Sequence, residues 1–321
     1  MADTKAPLAH RKKVTIFAPC YNEEATIMAF METVDRVIAP LRKKYDFTIL
    51  LVNDGSKDKT LAIMQKLAAT RSDFKYVGFS RNFGKERAIY AGFCAAQALN
   101  SDAAITMDVD LQDPPELIPV FIREWESGYD YVYGHMRTRK GQGLLKRFFS
   151  SDFYKVYALM TKDRTIKSGD RDYAILDRKT LAAFVSLKEI DRFNRGLADF
   201  VGFRKKRIYF DFIPRTKGTS KFPFGKMLAY ALSSFREFST FYLLIPDLFI
   251  WLALMGLVAF ILLGIFAVGW WNYVPVGICA LLLPLAIMAR IIVKLLYQTR
   301  EETRKRPLFF VEDTNIEGFG E

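Results

Sequence analysis

Histidine is almost missing from this 321-residue chain, with only His10 and His135 present. That scarcity excludes zinc chemistry built on histidine clusters and a serine–histidine–acid triad. Cysteine is nearly as sparse. Cys20, Cys94 and Cys279 stand in neither a paired nor a metal-ligating pattern, so a disulfide scaffold is excluded and the three read as small packing residues of a reducing compartment. There is no G-x-x-x-x-G-K-[ST] loop to cradle a phosphate. Gly141-Gln142-Gly143 opens like a dinucleotide fingerprint but lacks the third glycine and a clear strand before it, and reads as a flexible loop. The first residues, Met-Ala-Asp-Thr-Lys, hold no apolar export core. No internal repeat or low-complexity linker is visible.

What is present is segregated. Hydrophobic residues make up 51% and charged residues 26%, and the two kinds occupy different stretches. Residues 250–270 run for 21 positions without a charge, and 274–289 for 16 more before Arg290 and Lys294. About 20 apolar residues cross a bilayer core, and long cationic stems near a helix end can snorkel to the headgroups. The pair therefore predicts a two-helix membrane hairpin over 245–297, with Gly269-Trp270-Trp271-Asn272-Tyr273 as an aromatic interfacial turn. A buried helical hairpin in a soluble core is the alternative. Lys221, Lys226 and Arg236 precede the hairpin and Arg300, Arg304, Lys305 and Arg306 follow it. The positive-inside rule then puts both termini and the large domain, 1–222, on the cytoplasmic face of the plasma (inner) membrane. Residues 223–244 read as amphipathic helix lying against the membrane. The tail, 298–321, reads as cytoplasmic and loosely ordered after Pro307. A net charge of +12 asks for an anionic partner: phosphorylated small molecules, anionic lipid or nucleic acid.

The first half alternates short apolar runs with helical spacing. Val14–Ala18, Thr48–Val52, Tyr76–Phe79 and Ala103–Met107 read as strands buried on both faces. Glu24–Ile38, Asp58–Ala69 and Gly84–Leu99 read as the helices between them. Such alternation predicts an α/β fold, an open and mostly parallel sheet with right-handed crossovers. The middle, roughly 135–240, is less regular and strongly basic.

In an open parallel sheet, ligands bind beyond the carboxyl ends of the strands. Three strand ends carry acids and amides to that one rim: Pro19-Cys20-Tyr21-Asn22-Glu23-Glu24, Asn53-Asp54-Gly55-Ser56-Lys57-Asp58 and Asp108-Val109-Asp110-Leu111-Gln112-Asp113. Asp108 and Asp110, leaving a strand in alternation with Gln112 next, would face one side. Hard oxygen ligands of this kind suit Mg²⁺ or Mn²⁺ with positions left open for diphosphate oxygens.

These runs, with Arg81-Asn82-Phe83-Gly84-Lys85 and the continuation Pro114-Pro115-Glu116, resemble glycosyltransferase family 2. Within it the resemblance is to polyprenyl-phosphate glycosyltransferases, the bactoprenol glucosyltransferase and dolichol-phosphate mannose synthase group, over roughly 12–240. It implies a GT-A-like fold with a Rossmann-like nucleotide-binding half. Pro19, Tyr21, Asn22 and Glu23 would line the nucleotide pocket and Asp54 would hold the base edge. Lys85 would face the donor or solvent. Asp108, Asp110 and Gln112 would carry the metal, with Asp110 catalytic through it. Arg137 and Arg147 would hold the acceptor phosphate, and Arg215 and Lys221 would belong to a loop closing over the phosphates. Asp170 would sit near the reacting centre, orienting acceptor or sugar.

Two departures stand out. Gly169-Asp170-Arg171-Asp172-Tyr173 replaces a Gly-Asp-Phe-Arg-like run, and Ser234-Phe235-Arg236-Glu237-Phe238-Ser239 replaces a Gly-Ile-x-Ser-Phe-Ser pattern.

The implied reaction is an inverting transfer from a nucleotide sugar to a polyprenyl (undecaprenyl) phosphate. UDP-glucose is the first choice of donor, with UDP-N-acetylglucosamine, UDP-galactose and GDP-mannose as alternatives. The resemblance also implies a homo-oligomer. A processive polysaccharide synthase is disfavoured because no tryptophan follows an arginine, as Gln-x-x-Arg-Trp would need, and two helices enclose no channel. A non-enzymatic basic membrane module would not need acids gathered at strand ends, and no nucleic-acid-binding motif is present.

Overall fold

The computed structural model describes residues 11–137, 169–189, 192, 194–211, 244–266 and 274–320. These fall into two compact units. One is an α/β unit that includes the segment from Pro307 onward; the other holds two long helices.

The α/β unit is built on strands β1 (Lys12–Cys20), β2 (Tyr45–Asn53), β3 (Phe74–Phe79), β4 (Ala103–Thr106), β5 (Tyr131–Met136), β6 (Asp170–Asp177), β7 (Lys205–Phe210) and β8 (Val311–Thr314). They form one sheet in the order β7-β5-β6-β4-β1-β2-β3-β8. The core of it, β3-β2-β1-β4, is parallel throughout, the arrangement of a mononucleotide-binding half. The pairings of β6 with β4 and with β5 are antiparallel, while β5 and β7 run parallel. The expected four strands and their parallel pairing are found; the sheet is wider and more mixed than those four.

Local sequence explains the layers. Helix α1 (Ile27–Ile38) buries Ile27, Phe30, Met31, Val34 and Ile38, a single stripe at helical spacing. Helix α2 (Thr60–Thr70) buries Thr60 and Met64. Helix α3 (Lys85–Ala98) offers a face of small residues, Ala88, Ala91, Gly92, Ala95 and Ala96, and so lies close against β1. A Cβ on Gly92 would come within 2.2 Å of the Phe17 ring. Helices α4 (Ile118–Glu126), α5 (Arg178–Ser186) and α6 (Asn194–Phe200) complete the unit. The core between sheet and helices is formed by Val14, Ile16, Phe47, Ile49, Leu51 and Ile105 with the buried faces of the helices.

The tail corrects one expectation. Residues 311–314 are ordered as β8, antiparallel to β3 at the sheet edge. Backbone pairing is joined by side-chain bonds from Thr314 Oγ1 to Tyr76 O (2.7 Å) and from Asn315 Nδ2 to Phe74 O (3.0 Å). An exposed edge strand invites pairing, and here the chain's own later segment supplies it.

The second unit consists of α7 (Leu244–Phe266) and α8 (Val274–Thr303). Trp251, Leu252, Met255 and Val258 on α7, and Leu283 and Val293 on α8, are exposed. Among the described residues no helix is long and apolar enough to cross a membrane. The expected juxtamembrane helix at 223–244 lies outside the described residues except for Leu244, which begins α7, and Arg147, Arg215 and Lys221 lie outside them too.

Candidate active site

The carboxyl ends of β1, β2 and β4 meet on one rim because the three strands are parallel neighbours. β1 has β2 on one side and β4 on the other, so the connections leave it in opposite directions, the switch point beside which open parallel sheets bind ligands. Antiparallel β6 brings its beginning, Asp170, to the same rim, and β5 and β7 bring Arg137 and Phe210.

The loops after β1 and β2 are laced together. Ser56 Oγ accepts from the Asn22 N–H (2.9 Å), and Asn22 Oδ1 accepts from the Lys57 N–H (2.8 Å). Thr60 Oγ1 accepts from the Glu23 N–H (2.8 Å), and Thr26 Oγ1 donates to Glu23 Oε2 (2.8 Å). Asn22 takes a left-handed φ of 55°, which its short amide tolerates. Pro19 is half-buried in β1 and Tyr21 lies open on the rim. Cys20 behind them is buried, and burial pushes its thiol well up, as expected of a packing residue.

Asp54 stands directly after β2. It is only 3% exposed, and its carboxylate accepts from Asn82 Nδ2 (2.9 Å), the Phe83 N–H (2.6 Å) and the Gly84 N–H (3.0 Å). Burial raises its pKa, with the Phe83 and Gly84 amides opposing. Asp54 therefore organises the loop that leads into α3.

Lys85 follows directly. Its Nζ donates to Asp108 Oδ1 at 2.6 Å. Arg171 Nη2 reaches Asp108 Oδ2 at 3.4 Å, and Arg171 Nε donates to Asp113 Oδ1 at 3.1 Å. Asp113 Oδ2 accepts the Asp108 N–H at 3.1 Å. Burial opposes ionisation of Asp108, but Lys85 and Arg171 outweigh it and hold that carboxyl below its ordinary value. Burial likewise works against the Lys85 charge, yet Asp108 and Asp172 keep its ammonium above its usual range.

Asp110 and Gln112 also correct an expectation. Residues 109–110 form a turn, with Asp110 Oδ1 accepting the Gln112 N–H at 3.1 Å and Leu111 at φ 58°. The acids sit on an Asx-type turn rather than in extended alternation, because an aspartate side chain readily captures the amide two residues on.

Asp113 is the buried member of the group. Burial raises its carboxyl, with Asp108 adding and Arg171 opposing, to about 6. A carboxyl raised in the folded state binds protons that the unfolded chain has already released, so its contribution to stability falls as pH rises from about 4 to about 6. Asp113→Asn removes that dependence. Urea unfolding of both proteins at pH 4 and pH 7.5 should show the stability difference moving toward the asparagine variant at the higher pH, by up to about 3 kcal/mol. A difference that does not change with pH would contradict the assignment.

A second cluster stands at the β5–β6–β7 end. Asp170 is 6% exposed. It accepts from Arg207 Nε (3.0 Å) and Nη2 (3.1 Å), and its Oδ1 lies 2.6 Å from His135 Nδ1. The bidentate pair holds the three strands in register. Asp170 thus fixes Arg207 and His135 at this end of the rim. Arg137 places its guanidinium over the Tyr209 ring at 5.9 Å beside them.

Arg171, Asp113 and Arg207 were not singled out from sequence. Arg171 stands in the run that departs from the family pattern, and Asp113 is the third acid of Asp108-x-Asp110-x-x-Asp113. Arg207 is hidden among Lys205 and Lys206, although Arg207 and Tyr209 share one face of a strand.

Among the described residues no group of three or more His, Cys, Asp or Glu side chains is arranged to hold a metal. Asp108 and Asp110 nevertheless provide hard oxygens at the rim. A magnesium-type ion usually takes one or two carboxylates and completes its shell with water and substrate phosphates. In this structure Lys85 and Arg171 engage the two Asp108 oxygens, and the Gln112 N–H engages Asp110 Oδ1.

Known proteins share this arrangement of sequence. The family described as Glycosyl transferase family 2 matches residues 15–183. The uncharacterized glycosyltransferase sll0501 of Synechocystis sp. is 36% identical over 316 residues, covering 94% of this chain and 95% of its own. The bactoprenol glucosyl transferase of Shigella phage SfV is 36% identical over 229 residues, covering 71% of this chain and 73% of its own. Among solved structures, the mannosyltransferase PcManGT from Pyrobaculum calidifontis in complex with GDP-Man and Mn²⁺ is 16% identical, covering 71% of this chain and 64% of that one at a TM-score of 0.46. A match that spans strands β1 to β6 with the acidic rim inside it, and a relative aligned along nearly its whole length, make this chain a member of glycosyltransferase family 2 and a glycosyltransferase.

Proposed function

We propose that the enzyme transfers glucose from UDP-glucose to the phosphate of a polyprenyl lipid, undecaprenyl phosphate, with inversion at the anomeric carbon. The observation that carries this is the division of one rim into two halves. Asp108 and Asp110 with Lys85 and Arg171 form one half, and Arg137 and Arg207 with His135 and Tyr209 the other. The name of the phage relative, a bactoprenol glucosyl transferase, supports the sugar and the lipid.

The chemistry asks little of a general base, since a lipid phosphate is already an anionic nucleophile. It asks for positioning. Planar guanidinium groups such as Arg137 suit the acceptor phosphate, with Arg147, Arg215 and Lys221 assigned to the same task. Asp108, Asp110 and Gln112 would hold Mg²⁺ or Mn²⁺, which supplies neutralisation of charge on the departing nucleoside diphosphate. Lys85 and Arg171 add fixed positive charge beside them. Tyr21 on the open rim would face the nucleotide.

We further propose that α7 and α8 anchor the enzyme in the plasma membrane with its α/β unit on the cytoplasmic face, as a homo-oligomer. Asp247 is the one charge among the 23 residues of α7, and apolar side chains are exposed along both helices, which supports the anchor.

The test is transfer from labelled UDP-glucose, UDP-N-acetylglucosamine, UDP-galactose and GDP-mannose into butanol-extractable lipid, with purified protein, undecaprenyl phosphate and Mg²⁺ or Mn²⁺. Label entering lipid from UDP-glucose and stopped by EDTA is the expected result. Label from another donor would correct the sugar, and none from any donor would overturn the reaction.

A further inference from the structure

We infer that the C-terminal strand β8 and the two phenylalanines before it are a positioning element for the donor side of the site, an inference that rests on the donor assignment proposed above. Val311 pairs with Phe79 in the antiparallel ladder, and the ladder is irregular between Gly78 and Phe79. Beyond that irregularity the Phe310 carbonyl still accepts the Ser80 N–H at 3.1 Å, so the tail holds the chain as it leaves β3.

Aromatic contacts carry the hold further. Phe309 stacks on Phe79 with centroids 4.9 Å apart and meets Tyr90 of α3 edge-on at 6.2 Å. Phe83 is held from two sides, edge-on to Phe79 at 5.7 Å and tilted against Phe310 at 6.3 Å. The backbone N–H groups of Phe83 and Gly84 are those that bind Asp54, and the next residue, Lys85, binds Asp108. A continuous line of contacts therefore runs from the tail through Phe83 to the two carboxylates at the centre of the rim.

Covering an exposed sheet edge would explain β8 as well, and the two ends of the tail separate these explanations. At the far end Asp313 accepts from Tyr76 Oη (2.9 Å) and Gln65 Nε2 (2.7 Å), and Asn315 Oδ1 accepts the Tyr76 N–H (2.8 Å). That end fastens the strand without touching the 80–85 loop. The Phe310 end touches the loop while Phe310 itself is 56% exposed and contributes little burial. An edge cover needs the first set of contacts and has no use for the second.

The experiment compares the full-length wild type with Phe310→Ala, Phe310→Tyr and Asn315→Ala. It reads Tm, KM for the nucleotide sugar and for the lipid phosphate, and hydrogen exchange of a peptide spanning 80–90. Loss of one aromatic contact corresponds to roughly a 2- to 10-fold effect. Phe310→Ala should raise donor KM and speed exchange of the Phe83 and Gly84 amides by about that factor, with acceptor KM unmoved and Phe310→Tyr restoring both. Asn315→Ala should lower Tm while leaving donor KM and loop exchange unchanged. Equal rises in both KM values, or loop exchange in Phe310→Ala identical to wild type, overturns the inference. The exchange result stands whether or not the wild type transfers sugar, so failure of the reaction assignment is seen separately, as absence of transfer by the wild type.

Discussion

Asp110→Ala is expected to reduce sugar transfer by about 10²- to 10³-fold, the scale on which one preorganised electrostatic contact to developing charge acts. The fold should tolerate the change. Asp110 is half-buried, on a turn, and its Oδ1 accepts one backbone amide, that of Gln112. Losing a partly exposed hydrogen bond costs about 1 kcal/mol. The variant should therefore unfold within a few degrees of wild type while turnover collapses. Raising Mg²⁺ should recover little, because alanine offers no oxygen. Initial rates over a metal titration, beside a thermal melt, check both halves of the statement. Wild-type turnover in Asp110→Ala would remove the metal from the proposed reaction, and an equal collapse of Tm would make Asp110 a structural residue.

The second large effect is expected at Gly55, far less conspicuous in sequence than the acids beside it. Gly55 has φ +62°, and a Cβ there would lie 2.2 Å from the Arg81 carbonyl carbon and 2.4 Å from the Asn82 nitrogen. Both obstacles are backbone, so no side chain can swing aside. Gly55→Ala must push the loop after β2 away from residues 81–82. Asn82, Phe83 and Gly84 are the groups that satisfy the buried carboxylate of Asp54. The left-handed backbone costs an alanine about 1 kcal/mol, and forcing extra volume into a packed site typically adds 1–3 kcal/mol. Partial loss of the Asp54 hydrogen bonds brings the expected destabilisation to about 3–5 kcal/mol. Nucleotide-sugar binding should weaken at least tenfold, since the same shift moves Lys85. Urea unfolding and calorimetric titration with UDP read the two effects. A variant of wild-type stability would mean the two loops separate more freely than their contacts indicate.

Both predictions involve a rim whose outline was legible in the sequence. Runs such as Val14–Ala18 and Ala103–Met107 are apolar on both faces, which only a strand buried between helices requires. Acids and amides follow the strands directly, so strand order and the ligand-binding rule bring them together without further information. Local conformation was less legible. The Asx-type turn at Asp110 is a competition between a side chain and the backbone that alternation ignores, and the occupation of Asp54 depends on amides 28 to 30 residues away. Arg171 and Arg207 act by reaching across strands to Asp108 and Asp170, and nothing local marks which basic residues of a basic segment will do so. The strands β5 and β7 escaped notice for a related reason, being edge-side elements that carry His, Lys, Arg and Tyr instead of aliphatic runs. Strand β8 was the least legible. Val-Glu-Asp-Thr has two acids in four positions, poor material for a strand by propensity, and its register is set by Asn315 and Thr314 bonding to β3.

The placement of β8 also has a consequence for how the enzyme is made. Asn315 binds Tyr76 across 239 positions of chain, and both long helices are synthesised in between. On the ribosome the α/β unit emerges early but cannot close its β3 edge until those helices have been delivered. A nascent chain stalled or cleaved between α8 and residue 311 would carry an open strand edge beside Phe79 and Phe83, a surface suited to aggregation or to capture by a chaperone. Completion of the sheet thus reports that the helices have already been produced, and a chain lacking β8 is expected to be recognised as unfinished by the cell's quality control.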